Sequence, residues 1–566
     1  MRPFRAPDDG ARSPGTKRMS GTSVVIIGAG HAGVQAAASL REQGFDGEVV
    51  LLSAEKDLPY QRPPLSKAFL KGEMDIHGLP LRADAHFRDQ RIDLRLGVSA
   101  KRIDSASQKV ELSDGGTIAY GHLILATGAR QRRLNVPGVD LPGVFALRDI
   151  ADATAIRERL GAKPRVVIVG AGHAGVQAAA SLREQGFDGE VVLLSAEKDL
   201  PYQRPPLSKA FLKGEMDIHG LPLRAEAHFR EQRIDLRLGV SATRIDRSSQ
   251  KVELSDGGTI AYGHLILSTG ARQRRLDVPG VDLPGVFALR DIADATAIRE
   301  RLGAKPRAVI IGAGFIGLEI AATAASLGAE ATVVEIARPM GRAVSPILSD
   351  FFLKEHAAFG ARFRLGVGVA AIRGRERAEE VILTDDEALA ADMVVVGIGV
   401  VAEDALARAC GLECDNGIVV DEFLTTSDPA ISAIGDCAHF PHAALGLRTR
   451  LESVQNAVDQ GKSVAARLVG KPKPYDELAW FWSDQGDLKL MIAGLAHGVD
   501  TWVVRGDPAA RAFSTFGFRD GKLAVVESVN RAGDHAAAKR IIGTTKTMTP
   551  EEAADPAFDL RGLAKR

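Results

Sequence analysis

The chain has 566 residues, 45% of them hydrophobic and 25% charged, so it can fill several cores, and its length predicts three or four domains. Lysine plus arginine and aspartate plus glutamate balance at 72 each, which leaves no overall field to draw the chain to nucleic acid or an anionic membrane. No apolar run reaches the roughly 18 to 20 residues of a membrane helix, and three cysteines cannot build a disulfide framework, which points to a reducing cytoplasm.

Residues 1–23 are polar and basic and lack the apolar core of a secretory signal; a disordered lead-in is expected there, with Met19 an alternative start. Residues 24–165 then recur at 166–307 with eight substitutions: Ile27 to Val169, Asp84 to Glu226, Asp89 to Glu231, Lys101 to Thr243, Ser105 to Arg247, Ala106 to Ser248, Ala126 to Ser268 and Asn135 to Asp277. A unit this long and this alike is a tandem copy of a whole segment, not a solenoid repeat. A third, diverged relative follows, AVIIGAGFIGLEIAATAASLGAEATVVE, and the opening glycines Gly28, Gly170 and Gly312 are equally spaced.

Each of the three sites has the same grammar. A β-branched run (VVII, VVIV, AVII) predicts a buried parallel strand, followed by G-A-G-x-x-G and an alanine-rich stretch of helical spacing. The first glycine permits a tight turn, the second lets backbone approach a pyrophosphate, and the third packs helix on strand. The motif alone is weak evidence; here it comes with a strand before, a helix after and a second β-run on schedule. In the third site Glu335 ends that run, 23 residues after Gly312. A carboxylate there accepts from both ribose hydroxyls of NAD and repels a 2′-phosphate, so NADH is expected over NADPH, a preference tempered by Arg338 and Arg342. In the first two sites the run leads into SAEKDLPYQRPPLSKAFLKG, whose paired prolines are expected to stiffen an extended segment and fix Lys67 and Lys209 in place.

The motifs GAGHAG, LPYQRPPLSK, LATGAR (LSTGAR in the second copy), GAGFIGLE, TSDPAISAIGDCA, FWSDQG and VESVNRAGD occur in one order. With them the chain resembles the NADH-dependent ferredoxin and rubredoxin reductases of the putidaredoxin reductase type, which serve bacterial cytochromes P450 and aromatic-ring dioxygenases. With one copy removed it has that family's ordinary length. The resemblance implies an α/β fold: two Rossmann-like, three-layer nucleotide-binding domains, one for FAD and one for NAD, plus a smaller C-terminal α/β interface domain. It places the FAD domain at 166–276 and 422–472, the NAD domain at 277–421 and the interface domain at 473–566, and leaves 24–165 as an extra FAD-binding half.

The resemblance also implies residue roles. Gly170, Gly172, Ala174 and Gly175, or Gly28, Gly30, Ala32 and Gly33, would cradle the FAD diphosphate. Arg204 and Lys209, or Arg62 and Lys67, would lie against the flavin. Ala242, the turn at Thr269 and Gly270 (or Thr127 and Gly128), and Arg290 (or Arg148) would add FAD contacts. Asp436 would meet the ribityl chain and Val454 the isoalloxazine. In the NAD domain Gly312, Gly314, Gly317 and Glu335 would bind the dinucleotide, Phe315 would shield the nicotinamide site and Glu319 would face the flavin lysine. One departure stands out: Ala54 and Ala196 occupy a position that is often acidic in the family, so the adenosine ribose contact would shift by one residue or be lost.

The activity implied is hydride transfer from NADH to FAD and single-electron delivery to a ferredoxin, the Rieske type included, or a rubredoxin. Lys209, Glu319 and Trp482 would be the catalytic groups: an ammonium stabilises the reduced, more anionic flavin, and a Lys–Glu pair keeps it placed and charged. No metal of its own is expected. Cys410 and Cys414 lack the CxxC spacing and read as half-buried thiols, and Cys437 stands alone, so a dithiol relay is not expected. His31 and His173 are expected to face outward or toward the adenine side. Trp480 and Trp482 alternate as in a strand; Trp482 is the one expected near the flavin edge. Arg448, Arg450 and the ARQRR stretches suit either an acidic ferredoxin or plain solvent. Two other readings stay open, a redox-signalling flavoprotein like the apoptosis-inducing factor relatives, or a homologue inactivated by its duplication. Two FAD halves compete for one returning segment around Asp436; the second copy is expected to win through lower contact order, giving one FAD per chain in a monomer or homodimer.

Overall fold

The computed structural model describes residues 22–565 except 133, 135, 137, 140–143 and 162–163. The expected lead-in lies outside the described residues up to residue 21. The chain divides into two compact units, residues 1–162 and 163–566.

In the first unit the VVII run forms the strand Val24–Ile27, flanked in parallel by Val49–Ser53 and His122–Leu125, with Ile92–Leu96 outermost. Alternation along these strands sends Val24, Ile26 and Leu51 to the core beneath the helix His31–Glu42, and Val25, Val50 and Leu52 to a core shared with Val110 and Leu112. The sheet has four strands and stops at His122–Leu125.

The second unit repeats this arrangement and completes it. Arg165–Val169 is the central strand, Glu190–Ser195 and Ile234–Leu238 lie to one side, and His264–Leu267 lies to the other. A fifth strand, Ile431–Ala433, then pairs in parallel with Leu265–Leu267. The helix Val454–Leu468 follows and packs on His173–Glu184, burying Asn456, Gln460, Val464 and Ala465. Gly461 makes that approach possible, since a Cβ there would stand 2.8 Å from the Ala174 carbonyl oxygen. The HLIL strand, identical in both copies, is buried throughout in the second and partly exposed in the first. Leu267 is 0% exposed and Leu125 62%.

The chain leaves this half after the strand Ala271–Gln273, which pairs antiparallel with Val400–Ala402 on the way back. The return is earlier than the expected residue 422: Ala407, Leu412, Ile418 and Val420 already belong to the core around Val166–Val169. Tyr475, expected in the interface domain, also packs there. The sequence boundary followed the glycine–aspartate motif, but the crossing itself is made by the short paired strands upstream of it.

The domain between them carries a five-stranded parallel sheet in the order Val286–Ala288, Met393–Val396, Arg307–Ile311, Glu330–Glu335, Arg362–Leu365. The C-terminal part is a five-stranded antiparallel sheet in the order Trp480–Gln485, Leu488–Gly494, Lys522–Val529, Ala512–Arg519, Thr501–Asp507. One face, with Leu488, Leu490, Phe513 and Val529, joins the core of the NAD-type domain. The other, with Ala493, Phe516 and Val526, is covered by the helices Ala532–Ile541, Pro550–Ala554 and Leu560–Lys565. Buried Glu527 pins the two domains together, accepting from the Ser345 amide at 2.7 Å, the Ser345 hydroxyl and the Thr515 hydroxyl at 2.6 Å. Ser345 also caps the helix Pro346–Ala358.

The two copies offer a matched experiment. Leu267→Ala removes a fully buried side chain and is expected to destabilise the second unit by about 2 to 5 kcal/mol. Leu125→Ala, the same substitution in the same sequence context, is expected to stay within about 0.5 kcal/mol. Urea unfolding midpoints of the two variants check the contrast.

Candidate functional site

Both glycine motifs of the second unit open on one cavity of about 1690 Å³, larger than the ~300–1,000 Å³ of ordinary small-ligand pockets. At Gly170, φ is +108° and a Cβ would stand 2.2 Å from the Ser268 carbonyl oxygen; at Gly175 it would stand 1.9 Å from that of Gly170. At Gly172 a Cβ would meet nothing within 4 Å, so the backbone there faces the open cavity at the start of the helix His173–Glu184. Gly312, Gly314 and Gly317 repeat the pattern beneath the helix Phe315–Ser326, with Gly314 the open position. A glycine whose missing side chain leaves room only for a ligand, at a helix N-terminus, suits a diphosphate. FAD and NAD both fit this description. Ala174 is buried behind the first turn.

Beside the first motif, Arg204 donates to Glu197, to the Tyr202 hydroxyl at 3.1 Å and to the Arg290 carbonyl oxygen at 2.5 Å, while Tyr202 donates its own proton to Glu197. Glu197, the residue after the departing Ala196, is thereby committed to holding Arg204. Burial, and next the Arg204 charge, pull the Arg290 guanidinium below its ordinary value, against Asp436 and Glu197. Arg290, Gly270, Ala242, Asp436 and Val454 all line the cavity. Thr269 donates to the Glu403 carbonyl oxygen at 2.5 Å, tying the turn to the crossover. Burial and the nearby Glu452 carboxylate push Asp436 up to about 6.

At the junction of the two motifs the Lys209 ammonium meets the Glu319 carboxylate at 2.8 Å, with Lys209 18% and Glu319 4% exposed. Ser208 and Ser483 each donate to Glu319 at 2.5 Å. Sequence reasoning missed both serines; the alternation in FWSDQ, which puts Ser483 on the face opposite Trp482, was the available signal. In the first unit Lys67 is exposed and has no carboxylate partner among the described residues. Gly28, Gly30 and Gly33 keep the glycine geometry, and Arg62 keeps its bonds to Glu55, Tyr60 and the Arg148 carbonyl oxygen. Among its described residues that unit nonetheless has no strand or helix equivalent to those that carry Asp436 and Val454. Ala32, Arg62, Lys67 and Arg148 therefore stand at half a site.

On the other side of the cavity Phe315 stacks on Phe481 with ring centroids 4.6 Å apart. Glu335 accepts from the Ala313 amide at 2.8 Å and the Ala337 amide at 3.0 Å while facing the cavity. Arg342 and Arg338 line the same mouth, Arg338 paired with Asp350. Trp482 lines the cavity; Trp480 packs instead near Lys539, whose ammonium lies 4.0 Å from its ring centroid. His173 also lines the cavity, so of the two expected poses it takes the one facing the site and not the outward one, and burial with the Arg204 charge lowers it to about 4. Arg450 is 9% exposed and paired with Glu452 at 2.7 Å, so it offers nothing to a partner. Arg448 donates inward to the Val420 carbonyl oxygen at 2.6 Å. Burial raises all three thiols, Cys414 to about 11, so they are poor nucleophiles. Among the described residues no helix is long and apolar enough to cross a membrane.

Comparison with known proteins agrees with this geometry. The pyridine nucleotide-disulphide oxidoreductase model matches residues 22–163 and again 164–461, and the reductase C-terminal model matches 480–564. Rhodocoxin reductase of Rhodococcus erythropolis is 49% identical over 398 residues, 70% of this chain and 93% of that one. The ferredoxin reductase for the CYP199A2 system of Rhodopseudomonas palustris superposes with a TM-score of 0.70 at 50% identity, covering 71% of this chain and 99% of that one. The covalent putidaredoxin reductase–putidaredoxin complex gives the same TM-score at 37% identity, over 72% and 99%.

The Asp436 carboxyl supplies a pH test. It titrates at about 6 in the folded chain against 3.8 ordinarily, so its protonated form favours the fold. That contribution is fully present below about pH 4 and is lost as pH rises through 6. In cofactor-stripped protein, Asp436→Asn is expected to gain stability over the parent by up to about 3 kcal/mol between pH 4 and 7, at ~1.4 kcal/mol per pKa unit. Urea unfolding of both proteins across that range measures it.

Proposed function

This chain belongs to the pyridine nucleotide-disulphide oxidoreductase family, and from that premise we propose that it is an NADH-dependent reductase of a ferredoxin or rubredoxin, built on the second unit. The observation that carries the reading is the Lys209–Glu319 pair, set where two dinucleotide-binding turns meet in one cavity. Bound FAD would take hydride from NADH and release electrons one at a time, chemistry that belongs to the cofactor.

The chain's own residues bind, orient and exclude water. The amides at Gly172 and the Arg204 and Arg290 guanidiniums receive the FAD diphosphate end, and Asp436 and Val454 receive the rest. Gly314 and Glu335 receive the nicotinamide dinucleotide, with Glu335 setting the preference for NADH. Phe315, braced by Phe481, covers the place where the two cofactors meet. Lys209 would lie there, held in place by its ion pair with Glu319. Trp482 lies on the strand Trp480–Gln485 at the cavity's edge, in position to lead toward a docked partner. The thiols, Cys437 buried and Cys410 and Cys414 half-buried, all with raised pKa, suit a cytoplasmic protein that uses no dithiol relay.

The first unit adds a second set of turns but, among the described residues, no second return segment, so one FAD per chain is expected; flavin released from weighed, purified protein measures it. With NADH and cytochrome c, turnover is expected to depend on an added ferredoxin or rubredoxin, whereas ferricyanide is reduced without one. Lys209→Met is expected to slow NADH-dependent flavin reduction at least about tenfold, a loss of ~1.4 kcal/mol in barrier lowering, and Lys67→Met to leave it unchanged. Stopped-flow absorbance distinguishes them, and equal effects would refute the assignment to the second unit.

A further inference from the structure

Glu319 does not hold Lys209 unaided. Its Oε1 takes the ammonium of Lys209 and the proton of Ser483; its Oε2 takes the proton of Ser208. Ser483 in turn accepts from Gln485 Nε2 at 3.2 Å, and Gln485 Oε1 faces His356 Nε2 at 2.7 Å. All of Ser483, Gln485 and His356 are 0% exposed. A strand alternates its faces, so Ser483 and Gln485 point the same way as Phe481, toward the NAD-type domain.

The direction of every bond in this row is set by groups that can only accept. The carboxylate of Glu319 takes the one proton of Ser483, which leaves that hydroxyl free to accept. Gln485 must then present its amide nitrogen, which also approaches the Met340 thioether at 3.6 Å, another acceptor. The amide oxygen is left for His356. Burial lowers the His356 pKa and holds the ring neutral, so its single proton sits on Nε2 and its Nδ1 has no partner. The row runs one way, from His356 through Gln485 and Ser483 to Glu319.

We propose that Ser483, oriented by Gln485 and His356, is a positioning residue that keeps the Glu319 carboxylate in place and so fixes the Lys209 ammonium at the cofactor junction. The C-terminal sheet thereby takes part in the cofactor site through a buried residue that does not line the cavity. The serine–glutamine row is the physical link between the domain that carries Trp482 and the charge that Lys209 holds. The proposal rests on Lys209 acting at the flavin, as in the function proposed above.

The test uses the full chain with Ser483→Ala and Gln485→Met, alone and combined with Lys209→Met, and Ser483→Thr as the variant that keeps the hydroxyl. Two readouts are taken. In cofactor-stripped protein, acetylation of Lys209 by acetic anhydride at fixed pH is measured by mass spectrometry against exposed Lys198. Freed of its fixed partner, Lys209 is expected to label at least about threefold faster in Ser483→Ala and Gln485→Met, and at the parental rate in Ser483→Thr. In flavin-loaded protein, the midpoint potential is expected to fall by about 30 mV, a tenfold change for a two-electron couple, and this shift is expected to vanish in the Lys209→Met background. Unchanged labelling and potential, or a shift that survives in Lys209→Met, would overturn the proposal. The labelling readout needs no turnover, so it stands or falls apart from the partner assignment; Gln485→Met carries the test if Ser483→Ala does not fold.

Discussion

Pairing between Ile431–Ala433 and Leu265–Leu267 closes a sheet, and it also delivers the two residues that a dinucleotide half lacks on its own. The turn after that strand carries Asp436, and the helix that follows begins at Val454. Gly461 lets that helix sit directly on the backbone of the glycine-motif helix. Without this return a half keeps its turn, its clamp and its cores, as the described residues of the first unit do, but its sheet ends at four strands among those residues. An unpaired apolar edge strand is ordinarily a liability, and His122–Leu125 has that character.

Charge placement follows from that closure. The cavity gathers Arg204, Arg290 and Lys209 beside the first glycine motif and Glu335 beside the second. Each cation has a carboxylate at hand. Glu197 holds Arg204, Asp436 lies near enough to Arg290 to oppose its depressed pKa, and Glu319 holds Lys209. Of the two carboxylates in direct ion pairs, Glu319 is nearly dry, 4% exposed against 34% for Glu197. A buried carboxylate survives there because hydroxyls and an ammonium satisfy its oxygens, which is the condition under which buried charge is tolerable.

The C-terminal sheet is built into this site. Leu488, Leu490 and Phe513 share a core with the NAD-type domain, and Glu527 reaches across to the start of the helix Pro346–Ala358. Phe481, Trp482 and Ser483 are consecutive on one edge strand, and alternation splits them between the nicotinamide-side ring, the cavity rim and Glu319. One strand therefore serves the stacking, the exit side and the charge.

Much of this was legible from residue order. The three G-A-G-x-x-G turns, their strands and the carboxylate at Glu335 follow local rules: glycine where a Cβ has no room or would fill a ligand's place, and β-branched runs where both sheet faces are covered. The paired prolines did not: the expected extended segment is a 3-10 turn, Pro205–Ser208 and Pro63–Ser66, because the fixed proline φ suits the first position of a helical turn as well as an extended chain. The duplication was plain from residue order alone, and the copies share most local structure, down to the Arg62 and Arg204 clamps; the helix Ala210–Lys213 and the strand Ala271–Gln273 form only in the second. Local sequence could not show the difference between the two HLIL strands, one buried and one bare, because that is decided by a segment more than a hundred residues away. It also could not show the crossover at Val400–Ala402, or the serines and glutamine behind Glu319, which are ordinary residues until tertiary packing excludes water and makes each hydrogen bond count. The sequence determined what each half can bind; the tertiary structure decided which half is completed, because one returning strand can pair with only one edge.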